Sequence, residues 1–151
     1  MEKLIARLRR DYPDLSFATG PLDCWSPASN TILYATTSTD TAFASVLHEL
    51  AHALLGHNNY ANDLELLSKE VKAWEKALLL APDYRIVIND EHIQTCLDTY
   101  REWVHKRSLC PVCNCSGLQN TQTQYICINC RHSWRVTNSR LCRPYRQSVN
   151  K

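Results

Sequence analysis

The stretch His48-Glu49-Leu50-Ala51-His52, set inside the apolar run Ala42 to Leu55, constrains this chain more than any other. Val46, Leu47, Leu50, Ala51, Ala53, Leu54 and Leu55 give that run the density of a helix packed into a core. On such a helix, residues four apart differ in direction by about 40°, so the two imidazoles share one face and can grip a single ion. Two imidazoles and a carboxylate are costly to bury without a partner. The spacing is that of a hydrolytic zinc centre, with two His ligands and a carboxylate, Glu49, able to take a proton from water.

Length and cysteine placement bound the rest. A chain of 151 residues can bury one modest core and carry a small appended module. No apolar run nears the roughly 20 residues needed to span a bilayer, and residues 1–10 read as an amphipathic helix rather than a leader, so a cytoplasmic, membrane-free protein is expected. Six of the eight cysteines crowd the last third, leaving Cys24 and Cys96 upstream, which in a reducing compartment reads as metal binding. Charge is uneven too. Residues 1–100 hold 8 Lys/Arg against 14 Asp/Glu, and residues 101–151 hold 9 Lys/Arg against Glu102 alone, so the C-terminal part suits an acidic partner, nucleic acid included.

Along the chain, residues 2–11 form a short helix and residues 15–18 a first strand, followed by the Gly20-Pro21 turn. Cys24-Trp25-Ser26-Pro27 and Ser29-Asn30 read as a second strand end and its turn, and residues 31–35 are the clearest strand, β-branched and aromatic. The run Thr36 to Asp40 supplies an N-cap for the motif helix, which Gly56 stops. Residues 63–80 return to helical spacing with Leu64, Leu67, Val71, Trp74, Ala77 and Leu78 on one stripe, and Ala81-Pro82 ends that helix. A further helix runs from residue 89 or 90 to 106.

Two imidazoles need a third protein ligand. His57, five residues past His52 and about 140° round the helix, reaches the ion only if Gly56 redirects the chain. Glu70 is favoured, because an antiparallel helix returning past the first presents it; Glu65 and Glu75 remain alternatives. The order of strand 32–35, the His48–Leu55 helix, Glu70-x-x-Ala73-Trp74-x-x-Ala77 and Leu78-Leu79-Leu80-Ala81-Pro82 resembles the compact gluzincin peptidases of the ImmA/IrrE type over residues 15–82. That resemblance implies a zinc metallopeptidase with Glu49 as general base and a protein or peptide substrate, such as a transcriptional regulator. It also implies that strand 31–35 edges the cleft, where an extended substrate could pair with it. Tyr34, Tyr60, His57 and His92 are candidates for stabilising the oxyanion, and Cys24 for a latency thiolate.

At the other end, Cys110-Pro111-Val112-Cys113 and Cys127-Ile128-Asn129-Cys130 offer four thiolates to one structural ion, with a hairpin between them. The pattern resembles the zinc ribbons of nucleic-acid and transcription proteins, including the trailing strand at Trp134-Arg135-Val136. Cys115 is a spare thiol that could compete as a ligand, although its spacing from Cys113 fits the knuckle turn poorly; His132 and Cys142 read as bystanders. Arg135, Arg140, Arg143, Arg146 and Lys151, interleaved with Trp134 and Tyr145, suit phosphate contact with base stacking, so DNA or RNA is an expected partner.

The expected architecture is α+β. A zincin-like metallopeptidase domain over residues 1–107 combines a small antiparallel sheet, an active-site helix, a glutamate helix and an extra helix. A zinc ribbon over 108–138 and a basic tail over 139–151 follow, with two Zn2+ ions, one catalytic and one structural. Two alternatives stay open. One is a DNA-associated protease of the SprT kind, although that kind takes a later His as third ligand and none lies between His57 and His92. The other is a non-catalytic regulator with a vestigial metal site.

Overall fold

The computed structural model describes residues 1–140 and 145–149, and these form four helices and two small sheets, an α+β chain. They divide into two units, one of residues 1–59 and 69–94, the other of residues 60–68 and 95 onward. Among the described residues no helix is long and apolar enough to cross a membrane.

The first unit opens with α1 (Glu2–Asp11), which buries Ile5 and Leu8 and carries Glu2 in its first turn and Arg9 and Arg10 in its last, as the helix dipole favours. Strands β1 (Ser16–Thr19), β2 (Cys24–Ser26) and β3 (Thr31–Tyr34) lie in the order β1-β3-β2. The sheet is mixed, not the antiparallel one expected: β2 pairs antiparallel with β3, but β1 pairs with it in parallel, Ser16 opposite Thr31. The chain reverses twice between β1 and β3, the second time at Asn30 with φ of 49°, so β3 returns in the direction of β1. As the middle strand, β3 has both edges paired and cannot accept a substrate strand, which corrects the cleft-edge role expected for it. The outer side of β1 is met by Arg9, whose Nη2 donates to the Phe17 carbonyl at 2.7 Å.

Helix α2 (Asp40–Leu54) starts on Thr39, whose hydroxyl accepts the Ala42 N–H at 3.2 Å. It ends in a Schellman motif: Gly56 takes a left-handed φ of 63°, its N–H reaches the Ala53 carbonyl, and the His57 N–H reaches the His52 carbonyl at 3.0 Å. Helix α3 (Asp63–Tyr84) runs past the stop expected at Pro82. Pro82 removes one donor close to the end, and the helix closes three residues on, where Arg85 has a φ of 57° and the Arg85 and Ile86 N–H groups bond the Pro82 and Ala81 carbonyls. Residues 63–68 of α3 are counted with the second unit. Helix α4 (Asp90–Ser108) buries Ile93, Leu97, Trp103 and Arg107.

The buried stripe of α3 also differs from the expected one. Asp63, Glu70, Ala73, Trp74, Ala77, Leu80 and Ala81 are buried, whereas Leu64 and Leu78 are exposed. Two carboxylates seven residues apart therefore sit on the inward face.

In the second unit an antiparallel sheet runs β4 (Gly117–Thr121), β5 (Gln124–Cys127), β6 (Ser133–Val136) and β7 (Arg146–Ser148). Thus β7 adds a strand within the stretch the sequence reads as a basic tail. Tyr125, Trp134 and Val136 are buried with Cys110 and Cys127. Gly117 is needed here because a Cβ would drive into the Trp134 ring. Asp63, only 1% exposed, accepts from the Tyr125 hydroxyl and from Gln119 Nε2, and pairs with Arg107 Nε at 3.1 Å. Arg107, wholly buried, lies 4.0 Å over the Trp103 ring.

Candidate metal centres

Helices α2 and α3 bring His48, His52 and Glu70 together, a group that could hold a metal ion. The Nε2 atoms of His48 and His52 are 3.0 Å apart, and Glu70 Oε2 is 3.2 Å from the first and 3.5 Å from the second. A tetrahedral zinc site with bonds of about 2.0–2.1 Å to nitrogen and oxygen has ligand-to-ligand edges of about 3.3–3.4 Å. The three observed edges bracket that value. The donor chemistry agrees with it, since two imidazole nitrogens and a carboxylate make up a known zinc ligand set. Glu65 and Glu75 are not in the group: Glu65 accepts the Ala61 N–H, and Glu75 is exposed.

Surroundings shift the two carboxyls at this site in opposite directions. Burial raises Glu70, but hydrogen bonds and charge from His48 and His52 outweigh it and hold its carboxyl well below the usual carboxylate range. Glu49, next to His48 on α2, goes the other way. Burial pushes it up, against the lowering effects of His48, His52 and the Trp25 N–H, which donates to Glu49 Oε2 at 2.7 Å. A carboxyl held nearer neutrality suits a group that must take and return a proton.

The ring of His48 stacks on Trp74 at 4.2 Å between centroids and 26° between planes, and Trp74 meets His92 edge-on at 5.5 Å. His57 does not join the three donors. Its Nδ1 lies 2.9 Å from the Nδ1 of His52, on the far side of that ring, and burial with the charge of His52 and Lys69 lowers its pKa to about 4. Cys24 is exposed and outside the group, its thiol raised by partial burial and by the Glu49 and Asp23 charges. The Trp25 contact to Glu49 and the Trp74 stack escaped the sequence reading. Trp74 had a signal, lying four residues after Glu70 on one helix face; the Trp25 contact comes from a backbone N–H and leaves no trace in residue type.

The second centre is Cys110, Cys113, Cys127 and Cys130. Sulfur-to-sulfur distances of 3.5 Å (Cys113–Cys127 and Cys113–Cys130) and 3.6 Å (Cys110–Cys130) are too long for disulfides and near the roughly 3.8 Å edge of a tetrathiolate zinc site. Four thiols at this range cannot all ionise without a cation. The backbone N–H of Cys115 and the side chain of Asn129 lower Cys113 to about 6, whereas Cys130, despite the His132 N–H, is pushed up to about 12 by burial and the three other sulfurs. Cys115 is exposed and outside the four, and His132 bonds Ser148 instead. Cys142, Arg143 and Lys151 lie outside the described residues.

For nucleic acid, the expected aromatic at Trp134 is not on offer, being wholly buried with its Nε1 donating to the Arg107 carbonyl at 3.0 Å. Tyr145 and Arg135 are exposed, Arg140 covers the Tyr100 ring, and Arg146 donates to the Leu109 carbonyl. Compared with family models, curated proteins and solved structures, the chain finds no match.

Proposed function

We propose that the chain is a zinc-dependent metallopeptidase of the glutamate type, acting on a protein or peptide. One observation carries this reading: Nε2 of His48, Nε2 of His52 and Oε2 of Glu70, from two helices, converge within 3.5 Å, with Glu49 alongside. Bound zinc would supply a Lewis acid for a carbonyl and make water acidic enough to ionise near neutrality. His48, His52 and Glu70 would hold the ion; the ionised Glu70 offsets part of its charge. Glu49 would take the proton released as water attacks the amide carbonyl and return it to the leaving amine. The place of Glu70 supports this type over one with a later third histidine. A transcriptional regulator as substrate follows only from the resemblance to ImmA/IrrE peptidases. The four-cysteine module would hold a structural zinc ion and, with Arg131 and Arg135 exposed, bind an acidic partner such as DNA or RNA.

The test is digestion of a randomised peptide library, read by mass spectrometry beside zinc content. Wild type should carry two zinc ions and cleave, Glu49→Gln should carry two and not cleave, and Glu70→Ala should carry one. Equal cleavage by wild type and Glu49→Gln would remove the general base, and with it this reading.

A further inference from the structure

The C-terminus of α2 and the strand β2 build a second layer behind the three donors. Gly56 turns the chain back so that the His57 N–H bonds the His52 carbonyl, and the same turn lays the His57 ring against the back of the His52 ring, centroids 4.9 Å apart, with the two Nδ1 atoms 2.9 Å apart. The His57 carbonyl accepts the indole N–H of Trp25 at 3.0 Å, and the backbone N–H of that same Trp25 donates to Glu49. One residue of β2 thus touches both Glu49 and the loop that carries His57. His48 is held otherwise: its Nδ1 has no hydrogen-bond partner among the described residues, and its ring lies on Trp74.

We propose that His57 is a positioning residue for the metal centre, its Nδ1 accepting the Nδ1–H of His52 so that the Nε2 lone pair of that ring faces the ion, with Trp25 as the clamp that keeps His57 there. The inference rests on the metal reading above. Two Nδ1 atoms at 2.9 Å need one proton between them. If His52 binds through Nε2, the proton belongs to its Nδ1, and His57 supplies the acceptor. The ring nitrogens of His52 point apart, so His57 cannot sit behind Nδ1 and also ligate at Nε2. Metal-bound histidines generally donate their second N–H to such a partner, and its loss costs about 10–100-fold in metal affinity.

The experiment measures zinc per chain against rising chelator for the full-length protein and for His57→Ala, His57→Asn and Trp25→Phe. The asparagine carbonyl oxygen can stand where the His57 Nδ1 stands. His57→Ala should release the first zinc ion at about 10–100-fold lower chelator, His57→Asn should restore most of the difference, and Trp25→Phe should fall between. The ribbon's ion should leave all four proteins at the same point. If His57→Ala retains the first ion as wild type does, or if His57→Asn is as weak as His57→Ala, the acceptor role is overturned while the metal centre stands. Should wild type hold only the ribbon's ion, the metal reading and this one fall together.

Discussion

Glu49 and Glu70 are carboxylates of one unit driven in opposite directions by their surroundings. Glu70 meets two imidazole nitrogens and stays ionised, while burial of Glu49 outweighs the groups that favour its charge. Carboxylates pushed apart in this way divide naturally into a ligand and a proton carrier. The difference has a consequence for stability in protein stripped of metal at the first site. A carboxyl raised in the folded state favours folding below its unfolded pKa of about 4.3 and opposes it as pH climbs through the higher folded value. Replacing it with a neutral isostere that still accepts the Trp25 N–H removes that opposition. Glu49→Gln should therefore unfold at a higher urea concentration than wild type at pH 7, and the two midpoints should converge as pH falls towards 4. Equal midpoints at pH 7 would mean that burial of Glu49 carries no electrostatic cost.

At the scale of elements, α3 is the most informative, because its inward face holds Asp63 and Glu70 seven residues apart. Asp63 is paired with Arg107 and bonded to Tyr125 and Gln119, all within the second unit, and it lies among residues with almost no access to water. Removing one partner of a buried ion pair leaves the other charge without compensation, typically at about 3–5 kcal/mol. Asp63→Ala should cost about that much in urea unfolding, and Asp63→Leu combined with Arg107→Leu should recover a large part; a loss under about 1 kcal/mol for the single change would show that Arg107 finds another partner. The same helix explains what sequence can and cannot disclose. Its existence and the position of Glu70 follow from spacing, but a rule that puts apolar residues inside chose a stripe through Leu64 and Leu78, both exposed. The inward face is the one with the carboxylates, because Asp63 is paired there with Arg107 and Glu70 meets His48 Nε2 at 3.2 Å. Pro82 misplaced the end for a related reason: one lost donor near the last turn is a small penalty, and Arg85 in a left-handed conformation closes the helix. The motif helix, by contrast, was legible almost to the residue, since Thr39 and Gly56 bound it by local chemistry alone. What spacing could not give was β3 as a middle strand or His57 behind His52, because both depend on how the chain doubles back.

For the whole molecule, the two units differ in what sustains them without metal. The first buries Ile5, Leu8, Phe17, Ile32, Val46, Leu47 and Leu50 among others, an apolar core that owes nothing to an ion. The buried cluster around the four cysteines of the second holds Cys110, Tyr125, Cys127, Trp134 and Val136, and its two thiols lie against Cys130 and Cys113 at 3.6 and 3.5 Å. So small a cluster would gain most from an ion held by the four cysteines, since structural zinc binding is worth about 10–16 kcal/mol at neutral pH. Three donors would hold an ion less tightly than four thiolates, so a strong chelator should empty the first site at a lower concentration than the second. Amide hydrogen exchange follows both events. At the first step protection across residues 44–51 of α2 should persist, since its packing stays; at the second, protection across 117–136 should vanish while 44–51 is still protected. Joint loss of both regions at a single chelator concentration would contradict separate support, and would mean that the first unit folds only around its own ion.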